Sequence, residues 1–481
     1  MREISCAARW CAVALAVVSG ATVAACASER RDAASSDTGA ATERAAATAA
    51  PDSAAAAAGA VRCAINNGGI SLPQGFCATV FADKVGGARH ITVAPNGDVF
   101  VALQTAPART ERGAAPTGGV LALRDTNRDG EADARELFGD LGGTGIGLSA
   151  GYLYADAKTA IVRYPLPAGS LRPSGSPDTI VAGMPTGGHD ARNFAIDGGS
   201  LYVNFGSRTN SCQVKDRQKE SPGRDPCAEL DERAGVWRFD TGRLRQRPTT
   251  AQRFATGIRN AVGLAVNPAD GALYATQHGR DQLYQNWPRF YTSQQSAEQP
   301  QEQLMRVVQG DDFGWPYCYF DGQQNRLVLA PEYGGDGKKV GRCAEKKAPL
   351  AHYPGHWAPN GLVFHNGTQF PARYRGGAFI AFHGSWNRAP EPQAGYKVVF
   401  QPMADGRASG AYDVFADGFA VGDVQPDSAE HRPTGLAVAP DGALFITDDA
   451  GGRIWRVVYQ GPQRSGGRTA RPDSGGRVAS R

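Results

Sequence analysis

The chain has 481 residues, of which 61 are glycine and 30 proline, and its 51 Lys and Arg against 47 Asp and Glu give a formal net charge of +4. Charges of both signs are interspersed, and no basic stripe with interleaved aromatics occurs, which argues against nucleic acid as a partner. So much glycine and proline, with no helical periodicity of useful length, excludes a helix bundle and points to many turns.

The chain begins Met1-Arg2, has a second arginine at Arg9, and then runs through small and apolar residues from Trp10 to Ala25. That run is too short and too rich in alanine for a transmembrane span. It has the form of a secretory signal, and its end, Val23-Ala24-Ala25-Cys26, resembles a bacterial lipobox. Residues 1–25 are therefore expected to be a lipoprotein signal peptide. An acylated Cys26 would tie the exported chain to the bacterial membrane, facing the periplasm or the cell exterior. The alternative is ordinary cleavage near the same point, which leaves a free periplasmic protein. Residues 26–60 are mostly Ala, Ser, Thr, Asp and Arg and cannot bury enough surface to offset their ordering entropy, so they are expected to form a disordered tether. Residues 461–481 have the same character, leaving residues 61–460 as one large β domain.

Six cysteines fall inside that domain: Cys63, Cys77, Cys212, Cys227, Cys318 and Cys343. An even number in an oxidising compartment points to disulfides, and pairing of sequence neighbours, 63–77, 212–227 and 318–343, is the simplest connectivity. The spacings are not those of a zinc site, and no histidines accompany them.

A repeated unit sets the fold. It consists of an apolar run, a tight polar turn, a second apolar run and an alternating third run. The first copy runs from Arg89-His90 to Val101 and on to Gly119–Leu123, with Pro95-Asn96-Gly97 as its turn. A shortened second copy runs from Gly143 through Ile146 and Tyr152–Tyr154 to Ile161–Tyr164. The third spans Arg192–Val203 and Gly235–Phe239; the fourth Arg259–Val266, Gly271–Ala275 and Leu304–Val308. The fifth spans Asn360–Phe364, Gly377–Ala381 and Tyr396–Phe400; the sixth Arg432–Asp448 and Gly452–Val457, with Pro440-Asp441-Gly442 as its turn. Six such units predict an all-β, six-bladed β-propeller. The long gaps after Asn204, Asp281 and Gly314 are expected to be loops on one face.

Between the first and second copies, Asp125 to Glu136 fits the pattern D-x-[DN]-x-D-G-x5-E of calcium loops. Asp125, Asn127, Asp129 and Glu136 would give side-chain oxygens, and Glu131 a backbone oxygen. The alternative is a hairpin turn closed by Asx hydrogen bonds.

Residues just before each first strand reach one mouth of a propeller's channel. Those positions carry Arg89-His90, His189 with Arg192, Arg259-Asn260, Asn360 and His431-Arg432. Convergent polar groups in a concave mouth mark a binding or catalytic site; the same arginines could instead stitch loops together through backbone carbonyls.

In order along the chain stand His189 to Asn210, Arg259-Asn260, His278 to Asp281, Phe313 to Cys318, His383 to Arg388 and Arg432 to Gly435. As an ordered set they resemble the glucose/sorbosone dehydrogenase family, quinoproteins that use pyrroloquinoline quinone (PQQ). The nearest branch is that of the L-sorbosone dehydrogenase-like proteins and the fungal PQQ pyranose dehydrogenases. The resemblance implies a sugar substrate that gives hydride from its anomeric or aldehyde carbon to PQQ. It implies His189 as the base and Arg259 as the group that stabilises charge on the quinone oxygen, with Asn260 a neighbouring cofactor contact. It also implies calcium on the carbonyls of Gly279 and Arg280. Arg432, with Arg388 or Lys397, would hold the PQQ carboxylates, and His383 and Trp386 would contact the flat ring.

Two positions depart from the soluble glucose dehydrogenases. Their catalytic aspartate falls at Gly206-Ser207-Arg208, which makes Asp190 the candidate to orient His189, and a glutamine of theirs is Val262. No C-x-x-C-H motif occurs, so electrons would leave to an external acceptor. Two other readings fit a propeller: a non-catalytic module that binds a glycan or protein, and a calcium-dependent hydrolase or lactonase.

Overall fold

A computed structural model describes residues 61–105, 118–140, 142–422, 424–425 and 428–461. The expected signal peptide, Cys26, the tether and the tail after residue 461 lie outside the described residues.

Six four-stranded antiparallel sheets form the blades, each in up-and-down order. The first blade is Ala88–Val93, Val99–Leu103, Gly119–Arg124 and Ala134–Phe138. The second is Ile146–Ser149, Tyr152–Asp156, Ala160–Pro165 and Asp178–Ala182. The third is Phe194–Asp197, Ser200–Phe205, Gly235–Asp240 and Arg253–Thr256. The fourth is Leu264–Val266, Leu273–Gln277, Glu302–Val307 and Ala351–Tyr353. The fifth is Pro359–Phe364, Ala378–Phe382, Lys397–Gln401 and Asp413–Ala416. The sixth takes Pro433–Val438, Leu444–Asp448 and Ile454–Tyr459 from the end of the domain and Phe76–Ala82 from its beginning.

This last strand closes the ring. It pairs antiparallel with Ile454–Tyr459, and Phe76 seats its ring against Phe370, Tyr374 and Phe415 at 4.8–5.3 Å between centroids. The shortened second unit of the sequence is a full blade, not a defective one. Its outer strand carries only the short apolar run Ile180–Ala182, and that of the first blade alternates between half-buried and exposed residues.

The turns behave as their residues require. Gly97 and Gly442 sit at φ +93° and +88°, a left-handed conformation that glycine adopts without a Cβ clash. Ala94 and Ala439 donate across each turn to Asp98 O at 2.8 Å and Ala443 O at 2.9 Å. Hydrophobic burial is divided into layers, one between each pair of neighbouring blades. Phe100, Ile146 and Leu153 belong to the layer between the first and second blades, and Tyr154, Phe194 and Trp237 to the next. Phe379, Leu436 and Trp455 belong to the layer between the fifth and sixth. Each blade therefore buries both faces against its neighbours, which explains why the inner three strands read as nearly continuous apolar runs.

The channel is crossed by a polar tie. His90 lies between Asn193 Oδ1 at 3.0 Å and the Asn360 carbonyl at 2.9 Å. Asn193 donates on to Val262 O at 2.6 Å, and Asn360 to Thr434 Oγ1 at 3.3 Å. Five blades meet in this cluster. His90 and Asn360 thus act as stitches between blades.

All three disulfides join sequence neighbours: Cys63–Cys77, Cys212–Cys227 and Cys318–Cys343. They fit a chain that reaches an oxidising compartment. The first staples the entering chain to the closing strand. The other two lie in the long excursions of the third and fourth blades, which pack on each other through Trp315 Nε1–H donating to Asn210 O at 3.0 Å and Tyr317 Oη accepting from Cys227 N at 3.0 Å.

Candidate active site

Loops that lead into first strands, together with loops that join second to third strands, build one face of the propeller. There they enclose a cavity of about 220 Å³ whose walls include His189, Arg217, Arg259, Gly279, Asp281 and Glu302.

His189 precedes the third blade. Its Nδ1 meets Ser207 O at 2.8 Å and Ser207 Oγ at 3.0 Å. Ser207 Oγ–H itself donates to Thr209 O at 2.7 Å, so the hydroxyl oxygen is left to accept. Both partners of Nδ1 are therefore acceptors, the proton belongs on Nδ1, and Nε2 carries the lone pair. No hydrogen bond among the described residues uses Nε2. Burial, then the charge of Arg259, pushes the imidazole down to about 3. Asp190 does not orient His189, contrary to expectation. Its carboxylate accepts from Gly187 N at 2.8 Å and Arg192 Nη2 at 3.0 Å, while Ser207 takes the orienting role.

Arg259 is buried. Its Nη2 donates to Asp281 Oδ2 at 2.9 Å and Asn210 Oδ1 at 3.1 Å, and its Nε to Asn210 O at 3.2 Å. Nη1 has no acceptor among the described residues. Asp281 also accepts from Arg217 Nη2 at 2.8 Å and, through Oδ1, from Asn387 Nδ2 at 2.6 Å. Burial alone would raise this carboxyl, but the charges of Arg259, His356 and Arg217 hold it well below the usual carboxylate range.

The segment His278 to Asp281 contributes backbone. Among the described residues no donor reaches the carbonyl oxygens of Gly279 or Arg280. The Arg280 side chain turns away from the cavity into a buried ion pair with Glu332. Asn387 Oδ1 is a buried acceptor with no partner, and its amide orientation is set by the Nδ2 contact to Asp281. Glu302 accepts Gly279 N at 2.9 Å and Ala358 N at 3.3 Å, and burial raises it to about 8. The Gly279 carbonyl and Asn387 Oδ1, both on residues of the cavity wall, are oxygen donors of the kind a hard cation such as calcium takes; Arg280 is not among the wall residues. Trp386 lies at the cavity wall with 55% of its surface exposed, leaving an aromatic face open to a flat ligand.

The other expected contacts are engaged elsewhere. Asn260 shares its Oδ1 with Asn204 Nδ2 at 3.3 Å. His383 Nε2 meets Asp449 Oδ1 at 2.7 Å, and Asp449 also accepts from Arg89 at 2.5 Å. Arg432 donates to the carbonyls of His383 at 3.0 Å and Gly384 at 2.8 Å. Arg388 is tied to Gly355 O at 3.1 Å, Pro392 O at 2.9 Å and Glu298 at 2.5 Å, and Lys397 to Asp417 at 3.0 Å. The structure brings neither Arg388 nor Lys397 to the cavity. Arg192 is likewise fully buried and donates to His189 O at 3.0 Å.

The loop from Asp125 is closed as an Asx turn. Asp125 accepts the N–H of Asp129 at 3.2 Å and of Gly130 at 2.9 Å; Asn127 accepts that of Asp129 at 3.0 Å, and Asp129 that of Glu131 at 2.9 Å. Glu136 stands on the strand Ala134–Phe138 and pairs with Arg172 at 2.8 Å. Among the described residues no three of the carboxylates of the expected ligands Asp125, Asp129, Glu131 and Glu136 are grouped as metal ligands; they, with Asn127, take the hydrogen bonds of the Asx-turn alternative and of Arg172.

Arg217, Ser207, Glu302 and Asn387 were not legible as site residues. Glu302 carried one usable signal, an acidic residue opening a buried inner strand.

A family model described as TrAA12-like matches residues 70–460. An uncharacterised protein of Borreliella burgdorferi is 31% identical over 207 residues, 43% of this chain and 48% of that one. A pyrroloquinoline quinone-dependent pyranose dehydrogenase of Coprinopsis cinerea is 27% identical over 321 residues, 58% of this chain and 41% of that one. The chain thus spans less than half the length of these relatives. Among solved structures, a family AA12 carbohydrate-active enzyme of Trichoderma reesei superposes with a TM-score of 0.65 at 18% identity, covering 81% of this chain and 98% of its own. The PQQ domain of the Coprinopsis cinerea pyranose dehydrogenase, in its holo form, gives 0.64 at 18% identity over 81% and 97%. The soluble aldose sugar dehydrogenase of Escherichia coli gives 0.51 at 15% identity over 81% and 100%. At these identities the likeness establishes the propeller fold.

Proposed function

The chain belongs to the TrAA12-like family, and from that membership we propose that it is a quinoprotein oxidoreductase that oxidises a sugar, aldose or sorbosone-like aldosulose with PQQ and calcium. The observation that carries the reading is His189 held as its Nδ1–H tautomer, with Nε2 unengaged, in one cavity with Arg259. PQQ, when bound, would supply an electrophilic carbonyl carbon as the hydride acceptor. His189 Nε2 takes the proton of the substrate hydroxyl, so that one C–H and one O–H bond break and a C=O bond forms. Arg259 offers Nη1–H to the negative charge that grows on the acceptor oxygen. The Gly279 carbonyl, with Asn387 Oδ1, would hold the calcium, and the exposed face of Trp386 would pack on the cofactor ring.

Two observations weigh against a calcium-dependent hydrolase. Asp281 has its oxygens filled by Arg217, Arg259 and Asn387. Among the described residues the only grouped metal-type ligands are Cys212, Cys227 and Glu229, whose cysteines are oxidised. The test is dye-linked sugar oxidation. Turnover should require PQQ and calcium together and vanish with a chelator; lactone hydrolysis by the cofactor-free protein would contradict the reading.

Export with anchoring through Cys26 belongs to the same proposal and rests on the lipobox-like sequence. Cys26→Ser should move the protein from the membrane to the soluble fraction; unchanged fractionation would count against the anchor.

A further inference from the structure

Arg217 reaches the cavity from an unusual place. It sits on the excursion between Phe205 and Gly235 of the third blade, inside the segment closed by Cys212–Cys227. Its backbone is left-handed, at φ +57°, a conformation disfavoured for any residue with a Cβ. The loop does not need this side chain as an anchor. Ser211 Oγ–H donates to Glu332 at 3.2 Å, Glu220 N to Asn286 O at 2.9 Å and Gly223 N to Glu332 O at 3.0 Å. The Arg217 guanidinium donates from Nη2 to Asp281 at 2.8 Å and from Nη1 to Gln282 Oε1 at 3.1 Å. That uses two of the five N–H groups an arginine carries. Its Nε faces the Asp216 carboxylate at 3.9 Å, beyond hydrogen-bond reach, so N–H groups remain for a ligand. The side chain is 33% exposed and lines the cavity.

We propose that Arg217 is a carboxylate-recognising residue of this cavity, held in place from one side by Asp281 and Gln282 and delivered there by the disulfide-closed loop. A planar fork of N–H donors matches a carboxylate in shape and charge. Arg259 Nη1 is then left for the reacting oxygen. The proposal rests on the PQQ-dependent reading above. The carboxylate can come from the cofactor or from an acidic sugar substrate such as a uronic acid.

The experiment compares the full-length parent with Arg217→Gln, both loaded with calcium. PQQ is titrated by quenching of tryptophan fluorescence, and D-glucuronate is compared with D-glucose by kcat/KM at saturating PQQ. A rise of roughly 10- to 100-fold in the PQQ Kd, with the glucuronate-to-glucose ratio unchanged, assigns Arg217 to the cofactor. An unchanged PQQ Kd with a similar fall in that ratio assigns it to the substrate. Neither quantity moving by more than about twofold overturns the proposal. Should the parent bind no PQQ, the proposed function fails. Calorimetric titration of both proteins with glucuronate then decides separately, equal affinity or no binding counting against Arg217.

Discussion

Asp281→Ala should destabilise the protein by about 3–5 kcal/mol, because it leaves buried charge without a partner. The carboxylate accepts from Arg259, which is 3% exposed, and from Arg217 and Asn387. Arg259 cannot reach water by turning, since Asn210 holds its Nε and Nη2 at 3.2 and 3.1 Å. Asp281→Asn keeps the shape and removes the charge, so it separates electrostatics from packing. Urea denaturation of the three proteins measures the loss. A change below about 1 kcal/mol in Asp281→Ala, the size typical of an exposed ion pair, would show that the cluster is not a buried electrostatic unit. The same substitution frees Asn387 and Arg217 from their positions, so PQQ affinity should fall alongside stability.

His189→Ala should retain PQQ and lose turnover by about 10²- to 10⁴-fold, the usual contribution of a positioned general base. Ser207 fixes the tautomer, and the lone pair is unengaged in the walled cavity. The pH dependence follows from burial and the charge of Arg259, which push the imidazole down from 6.5 to about 3. A depressed value means that the group stays neutral as pH falls through the ordinary imidazole range, so it remains able to accept a proton. The acid limb of kcat/KM should therefore lie well below pH 6.5, and activity should hold between about pH 7 and pH 5. The rival base is His383, which Asp449 orients at 2.7 Å, an arrangement resembling the carboxylate–histidine pairs of other enzymes. It is absent from the cavity wall described here, and His383→Ala should cost less than about tenfold. The reverse pattern, with His383→Ala inactive and His189→Ala near parental, would transfer the role to His383.

The fold was legible because each blade repeats one chemical sentence. Pro-Asn-Gly in the first blade and Pro-Asp-Gly in the sixth make the turn, and inner strands packed on both faces are mostly apolar. What stayed hidden were the outer strands, such as Ala134–Phe138, whose alternate residues face solvent, and the closing strand Phe76–Ala82, which joins a blade whose other strands lie at the far end of the domain. The site was legible where residues precede first strands, as with His189 and Arg259. It was hidden where loops supply it. Arg217 sits among many charges in its loop, and nothing in their spacing singles it out. The same positional rule over-counted. Arg192 and His90 occupy mouth positions yet serve as stitches, because a guanidinium or imidazole at the end of a strand satisfies neighbouring blades as readily as a ligand. The acidic loop at Asp125 matched a calcium pattern, but short Asx side chains also close turns onto their own backbone.

The central claim is that sugar reduces PQQ held in this cavity, with His189 as the base. The most direct measurement mixes sugar anaerobically, in the absence of any electron acceptor, with the calcium- and PQQ-loaded parent and with His189→Ala. The parent's quinone absorbance should bleach in a single turnover, one equivalent of sugar per PQQ, while His189→Ala should hold the same PQQ and bleach about 10²- to 10⁴-fold more slowly. A parent that binds PQQ but shows no bleaching with any aldose, or a variant that bleaches at the parental rate, would contradict the account.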